Sequence, residues 1–144
     1  MMDYTRDGET QAPKEKMGMD DERLRARDMA VEMFRQLLSH SPEDGIVWQS
    51  TARDLVELTH EVWLTGLIMD NRGRQMTFKA MVHHIFNILH AREPASPTGV
   101  VNVLRNRKCM KTLPVLERYA NLLRVRRGMN PMLADLRGWP EKPC

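Results

Sequence analysis

Residues 48–66 carry start and stop signals for a single helix. Thr51, followed three residues later by Asp54, has the form of a capping box, in which two side chains satisfy free backbone N–H groups at a helix start. Gly66 stands where a left-handed helix end is least costly, because glycine has no Cβ. Between these ends, residues recur at the spacing of one helical face: Leu55, Leu58, Thr59, Val62 and Trp63. The stretch therefore predicts an amphipathic helix packed against a core.

Helical spacing or helix-start residues mark four further segments. They are a long first helix from Asp20 or Asp21 to about His40, a helix over 77–89 capped by Thr77, a shorter helix over 98–106, and a last helix capped by Thr112 with Pro114 in its first turn. The segment 98–106 also has strand character because it contains three valines, and its turn-like proline entry favours the helix. Residues 67–69 can form a short extended piece.

The apolar faces of these segments predict which residues form the core. The first helix presents Ala30, Met33, Phe34, Leu37 and Leu38, and the last presents Leu116, Tyr119, Ala120 and Leu123. We also expect Trp63 and Phe86 to be buried, so that truncation of either to alanine costs about 3–5 kcal/mol.

Length and composition favour one soluble globular domain, since 144 residues with 42% hydrophobic and 28% charged content suit a single core. We predict an all-α fold: a disordered tail over 1–19, one compact helical domain over 20–127 with a helix-turn-helix or winged-helix-like core and a short β piece, and a loose segment over 128–144. No apolar run approaches the roughly 18 residues of a membrane span. The polar N-terminus shows no export signal, so we expect a cytoplasmic protein without a membrane partner.

The sequence lacks the motifs of common enzyme classes. It has no Gly-rich phosphate loop, nucleophile elbow or metal-ligand motif. His83 and His84 are adjacent and point about 100° apart on a helix, so they cannot share one metal-binding face. Cys109 and Cys144 form neither a metal nor a disulfide framework. We therefore expect no catalytic residues, no metal and no cofactor.

The net charge of +3 conceals a segregated distribution. Residues 1–104 carry twelve Lys/Arg and sixteen Asp/Glu, a balance of −4, while residues 105–127, here called the basic segment, carry eight and one, a balance of +7. A basic segment of this kind is typical of a phosphate-binding surface. A merely solvated face is the plainer alternative.

Several short motifs, in their order and approximate spacing over roughly residues 46–124, resemble the RteC family. They are Trp48, Asp54-Leu-Val-Glu-Leu58, Gly66, Phe86-Asn-Ile88, Arg105-Asn-Arg-Lys108 and Thr112. RteC-like proteins are regulators encoded on bacterial conjugative transposons, and they bind promoter DNA through a helical, winged-helix-like region. The resemblance implies a DNA-binding transcriptional regulator. The chain departs from the pattern by Leu113-Pro114 after Thr112 and by an insertion-like proline loop over 93–97.

If the resemblance holds, the helices over 77–89 and 98–106 form the pair that places one helix in the major groove. The expected DNA-binding residues are Asn102, Arg105, Asn106, Arg107, Lys108, Lys111, Arg124, Arg126 and Arg127. The arginines and lysines would contact phosphates and the two asparagines would read base edges. Double-stranded DNA is the expected partner, and a homodimer is a further expectation.

The alternative is a small helical module that binds another protein and not DNA. Its partner would dock on the first helix, which could also serve as a dimerising element or simply pack on the core. Twelve methionines suit adaptable binding surfaces, although they also fill cores.

Overall fold

The structure is a computed structural model that describes residues 14–105, 113–126 and 129–140. The described residues form five α-helices: α1 Lys14–Leu37, α2 Ala52–Leu64, α3 Phe78–Ile88, α4 Pro97–Arg105 and α5 Val115–Val125. Two short 3-10 turns occupy Pro42–Asp44 and Pro131–Asp135, and the strands β1 (Val47–Trp48) and β2 (Leu136–Arg137) pair antiparallel. The predicted all-α compact domain is confirmed.

Helix α2 lies at the centre of the fold and packs on the other four helices. Its residues Leu55, Leu58 and Val62 are fully buried. The predicted cap is present, because Thr51 Oγ1 accepts a hydrogen bond from the backbone N–H of Asp54 at 3.1 Å. The carboxylate of Asp54 accepts from Ser50 Oγ at 2.7 Å. The helix is followed by Gly66, which adopts a φ of +70°, as its place in the sequence predicts.

Removal of the Thr51 cap should destabilise the protein measurably. Thr51→Ala leaves the N–H of Asp54 without its side-chain acceptor, and we expect a loss of about 1 kcal/mol in the free energy of unfolding. Thr51→Ser keeps the acceptor and should lie close to wild type. Urea denaturation with an unchanged m value measures both variants, and an unchanged midpoint for Thr51→Ala would contradict the cap.

Helix α1 begins at Lys14 and ends at Leu37, whereas we predicted a helix from Asp20 or Asp21 to about His40. The expected tail over 1–19 is therefore wrong for residues 14–19, and residues 1–13 lie outside the described chain. Lysine, glutamate and methionine in this stretch are good helix formers, which allows the helix to start earlier than its first aspartate. The predicted face of α1 packs largely on α5.

Helix α5 also begins later than predicted. We placed its N-cap at Thr112, which lies outside the described residues, but the helix starts at Val115 with Pro114 at the cap position. Pro114 has a ψ of 152°, and the residue before a proline is disfavoured in the helical region, so the helix forms only after Pro114. The predicted buried face is confirmed: Leu116, Tyr119, Ala120 and Leu123 are buried.

We predicted a loose segment over 128–144. Residues 129–140, the part of it that the structure describes, instead form a 3-10 turn and a short strand. Asn130 Oδ1 accepts from the backbone N–H of Met132 at 3.0 Å and caps the second 3-10 turn. Met132 and Leu136 are buried in the core, and their packing holds this segment against the helices. At Gly138, which has a φ of +83°, a Cβ would come within 2.3 Å of the Gly45 carbonyl oxygen, so this crossing requires glycine.

A partly buried hydrogen bond joins α5 to this C-terminal segment. Tyr119 Oη donates to Asp135 Oδ2 at 2.6 Å. Burial of the ring, together with the neighbouring Asp135 carboxylate, raises the pKa of Tyr119 well above its ordinary value near 10. The folded state therefore holds a proton that the unfolded chain releases above about pH 10. It follows that this tyrosine makes stability fall as pH rises beyond that value.

Tyr119→Phe should remove both the hydrogen bond and this alkaline dependence. At neutral pH the variant should lose about 1.5–3 kcal/mol in the free energy of unfolding, because the bond has a charged acceptor. From about pH 10 upward the gap to wild type should narrow, since only wild type releases the Tyr119 proton on unfolding. Urea denaturation of both proteins at pH 7 and at about pH 10.5 measures this. A gap that stays constant with pH would contradict it.

The structure also revises one core assignment and one β assignment. Phe86 is 1% exposed, as predicted, but Trp63 is only half-buried at the edge of the α2 face, so its predicted burial is wrong. The expected extended piece over 67–69 forms one bridge, between Met69 and Gln75. The pairing of β1 with β2 joins segments far apart in sequence, which no local pattern indicates.

Candidate nucleic-acid interface

Helix α4 leads directly into the basic segment. Ser96 Oγ accepts from the backbone N–H of Gly99 at 3.2 Å at the start of the helix. Val101 is buried against the core, and α4 packs on α2. The next two residues, Asn102 and Val103, are exposed. The buried valine thus fixes α4 with Asn102 on the surface, one turn before Arg105 at its end.

The helix that follows the gap in the described chain is also held by α2. Arg118 forms an ion pair with Asp54 at 2.7 Å, and the backbone N–H of Val115 donates to Glu57 Oε1 at 3.5 Å. Helices α4 and α5 both pack on α2. In the sequence, the first part of the basic segment connects these two helices.

The structure describes three of the nine predicted DNA-binding side chains. Asn102 is exposed on α4, and Arg124 and Arg126 are exposed at the C-terminal end of α5. Arg105 is the last residue of α4. The others lie outside the described residues: Asn106, Arg107, Lys108, Lys111 and Arg127.

Arg124 and Arg126 lie at the C-terminal end of α5. Arg124 follows Val115 by nine residues, which corresponds to about 14 Å along the axis of α5. Arg124 Nη1 donates to Asn121 Oδ1, and Arg126 Nη1 contacts Met129 Sδ at 3.9 Å. Arg124 and Arg126 therefore lie at the end of α5 that is farther along the chain from α4.

The structure contains two features that the sequence pattern does not predict. Arg118 contributes to the charge excess of the basic segment, but its ion pair with Asp54 ties it to α2, and these residues are 64 positions apart. A pocket of about 620 Å³ opens between α2, α3 and α4, and Asn102 lines it. Trp63 lines that pocket and is partly exposed. The sequence indicated only that Trp63 belongs to the apolar face of α2.

The predicted DNA-reading pair, α3 and α4, is joined by the eight residues 89–96, longer than the three or four residues of a typical helix-turn-helix. Each of these helices packs on α2 more extensively than on the other within the described chain. His90 in the connection has a φ of +59°, and its Nε2–H donates to the Pro42 carbonyl at 2.7 Å. This contact fixes the path of the connection between the two helices.

Within the described ranges, no three His, Cys, Asp or Glu side chains converge as metal ligands, and no helix is long and apolar enough to cross a membrane. Comparison with protein-family models, with curated proteins and with solved structures found no match for this chain.

Proposed function

We propose that the chain is a DNA-binding transcriptional regulator, similar to RteC proteins, in which the basic segment contacts the DNA backbone. The segregation of charge carries this proposal: residues 105–127 hold a balance of +7, while the 104 residues before them hold −4. If acidic and basic residues were evenly mixed along the chain, no region would attract DNA strongly. Here the positive charges are concentrated in one segment, which can attract phosphates.

The packing of the flanking helices supports a defined DNA-binding region. The segment begins at the end of α4, and α5 is tied to α2 by the ion pair between Arg118 and Asp54. Arg105, Arg107, Lys108 and Lys111, which precede α5 in the sequence, would contact phosphates. Arg124 lies about 14 Å along the axis of α5 from the first residue of that helix, a distance comparable with the roughly 12 Å width of the major groove. Arg124, Arg126 and Arg127 could then contact the opposite strand.

The motifs behind the RteC resemblance occupy coherent positions in the fold. The motif Asp54-Leu-Val-Glu-Leu58 forms the first half of α2, and the motif Phe86-Asn-Ile88 ends α3. Both motifs therefore lie in helices that pack on each other and precede the basic segment. Proteins of the resembled family regulate transcription, which is why we propose regulation and not only DNA binding.

Binding of the purified protein to genomic fragments, followed by fluorescence anisotropy on a selected fragment and its scrambled duplex, tests the proposal. Affinity should fall linearly with salt on logarithmic axes, with a slope of about −0.9 for each phosphate contacted. Four to seven contacts would give a slope between about −4 and −6. The selected fragment should bind more tightly than the scrambled one. Absence of binding to both at low salt would refute the proposal.

A protein-interaction module is the second candidate, and one exposed patch favours it. Leu122, Val125 and Met129 are exposed at the end of α5, with Val125 78% exposed. The first helix, on which this alternative placed the partner, buries its apolar face in the core, as its apolar spacing predicts. A partner or a second copy would therefore dock on the end of α5.

Gel filtration with and without duplex DNA distinguishes the two candidates. A dimer that forms without DNA and is lost in Val125→Asp would support an interface at the α5 patch. A protein that stays monomeric and comigrates with the duplex would support DNA binding alone. Asn71→Asp adds a negative charge at an exposed position outside α5 and serves as the control.

A further inference from the structure

We propose that the pocket between α2, α3 and α4 binds a small organic cation with an aromatic or alkylammonium group. The pocket volume of about 620 Å³ lies within the range of 300–1,000 Å³ that is typical of small-molecule sites. Three helices supply its walls, with Trp63 from α2, Phe78 from α3 and Val101 from α4. The cavity is therefore formed by the tertiary fold and not by one surface loop.

Three rings form a continuous aromatic wall in this pocket. The centroids of His60 and Phe78 are 5.3 Å apart with an edge-to-face angle of 83°. Trp63 lies 5.6 Å from Phe78 and 5.5 Å from His60, tilted in both pairs. Trp63 and Phe78 are half-buried, so part of each ring surface remains accessible. Such ring faces attract cations through their quadrupoles.

The charges around the pocket also favour a cation. Glu61 lines it, and among the described lining residues there is no lysine or arginine. Arg23 lies 3.7 Å from Glu61 and 3.3 Å from Glu117, so a single guanidinium is shared between two carboxylates. This trio carries a net charge of −1. An organic anion would meet this carboxylate and the negative ring faces, which would oppose its binding.

Binding in the pocket would affect the basic segment through α4. Thr98, Val101 and Asn102 line the pocket from α4, and the helix ends one turn later at Arg105. A bound cation would therefore stabilise one position of α4 against α2. This regulatory consequence rests on the proposed DNA-binding function, whereas binding of the cation does not.

Titration with benzyltrimethylammonium, in the absence of DNA, tests the site. The readouts are the indole N–H resonance of Trp63 in a ¹H–¹⁵N NMR spectrum and the resulting Kd, which we expect near 10⁻⁴ M. Benzyl alcohol, a neutral aromatic probe, and phenylacetate, an anionic one, should each bind at least about 10-fold more weakly. No shift of the Trp63 resonance at millimolar probe, or equal affinity for all three probes, would overturn the proposal.

Two variants separate the role of the pocket from that of the overall charge. Glu61→Gln should weaken binding of the cation about 3- to 10-fold and leave binding of the neutral probe unchanged. Glu43→Gln removes the same charge from an exposed turn outside the pocket and should leave both unchanged. An equal loss of cation binding in both variants would overturn the assignment to the pocket. Denaturation midpoints verify that each variant is folded, and DNA binding is measured separately.

Discussion

Replacement of Phe86 by alanine is expected to lower the free energy of unfolding by about 3–5 kcal/mol. Phe86 is 1% exposed on α3, which packs on α2 and α1. Truncation removes the transfer free energy of a whole aromatic ring and leaves a cavity that the surrounding helices can fill only partly. Urea denaturation monitored by far-UV circular dichroism measures the change through the shift in midpoint at constant m value.

Phe78→Ala is the matched control for this prediction, because it removes the same ring from the same helix at a half-buried position. We expect its cost to be clearly smaller than that of Phe86→Ala. The same reasoning lowers our expectation for Trp63→Ala below the 3–5 kcal/mol that burial of Trp63 would have implied. If Phe78→Ala proves as destabilising as Phe86→Ala, the burial of α3 is assigned to the wrong face.

The features predicted correctly from the sequence depend on neighbours within a few residues. Thr51 and Thr77 cap α2 and α3 through hydrogen bonds to backbone N–H groups three residues later. Gly66 adopts its positive φ because the helix end requires it locally. Caps and periodic apolar faces are therefore visible in a single sequence, and they located the central helices closely.

The features that were missed depend on contacts between distant parts of the chain. The order of the C-terminal segment comes from burial of Met132 and from the hydrogen bond between Tyr119 and Asp135. The ion pair with Asp54 engages Arg118, one of the eight cations counted in the basic segment. The pocket requires α2, α3 and α4 to meet at one place. No local pattern records which distant residues will come together.

The candidate DNA-binding site was predicted from the distribution of charge along the sequence, which can be counted without knowledge of the fold. The position of these residues in space was the missing information. Arg124 lies about 14 Å along α5 from its first residue, Arg126 follows the helix, and Asn102 lines a pocket and is exposed on α4. Asn102 could thus read a DNA base or contact a ligand in the pocket, and separate experiments test the two roles. Asn102→Ala should alter preference among DNA sequences if the first role holds.

Neutralisation of Arg105, Arg107, Lys108 and Lys111 to glutamine in one variant is expected to produce the largest change in DNA binding. If each contacts a phosphate, the salt-dependence slope should become shallower by about four units, roughly one for each lost contact. Affinity at low salt should fall by about 100-fold or more for the selected and the scrambled duplex alike, because phosphate contacts carry no sequence information. Fluorescence anisotropy across a salt series measures both quantities.

The control variant neutralises four exposed cations from the acidic part of the chain, Arg53, Arg72, Arg74 and Lys79, and so changes the net charge by the same amount. Its slope should stay close to that of wild type, because long-range attraction is screened beyond about 10 Å at moderate salt, whereas direct phosphate contacts release counterions. Equal losses in the two variants would mean that net charge alone drives binding. An unchanged slope in the first variant would exclude these four residues from the DNA interface and leave the exposed patch at the end of α5 as the stronger candidate for function.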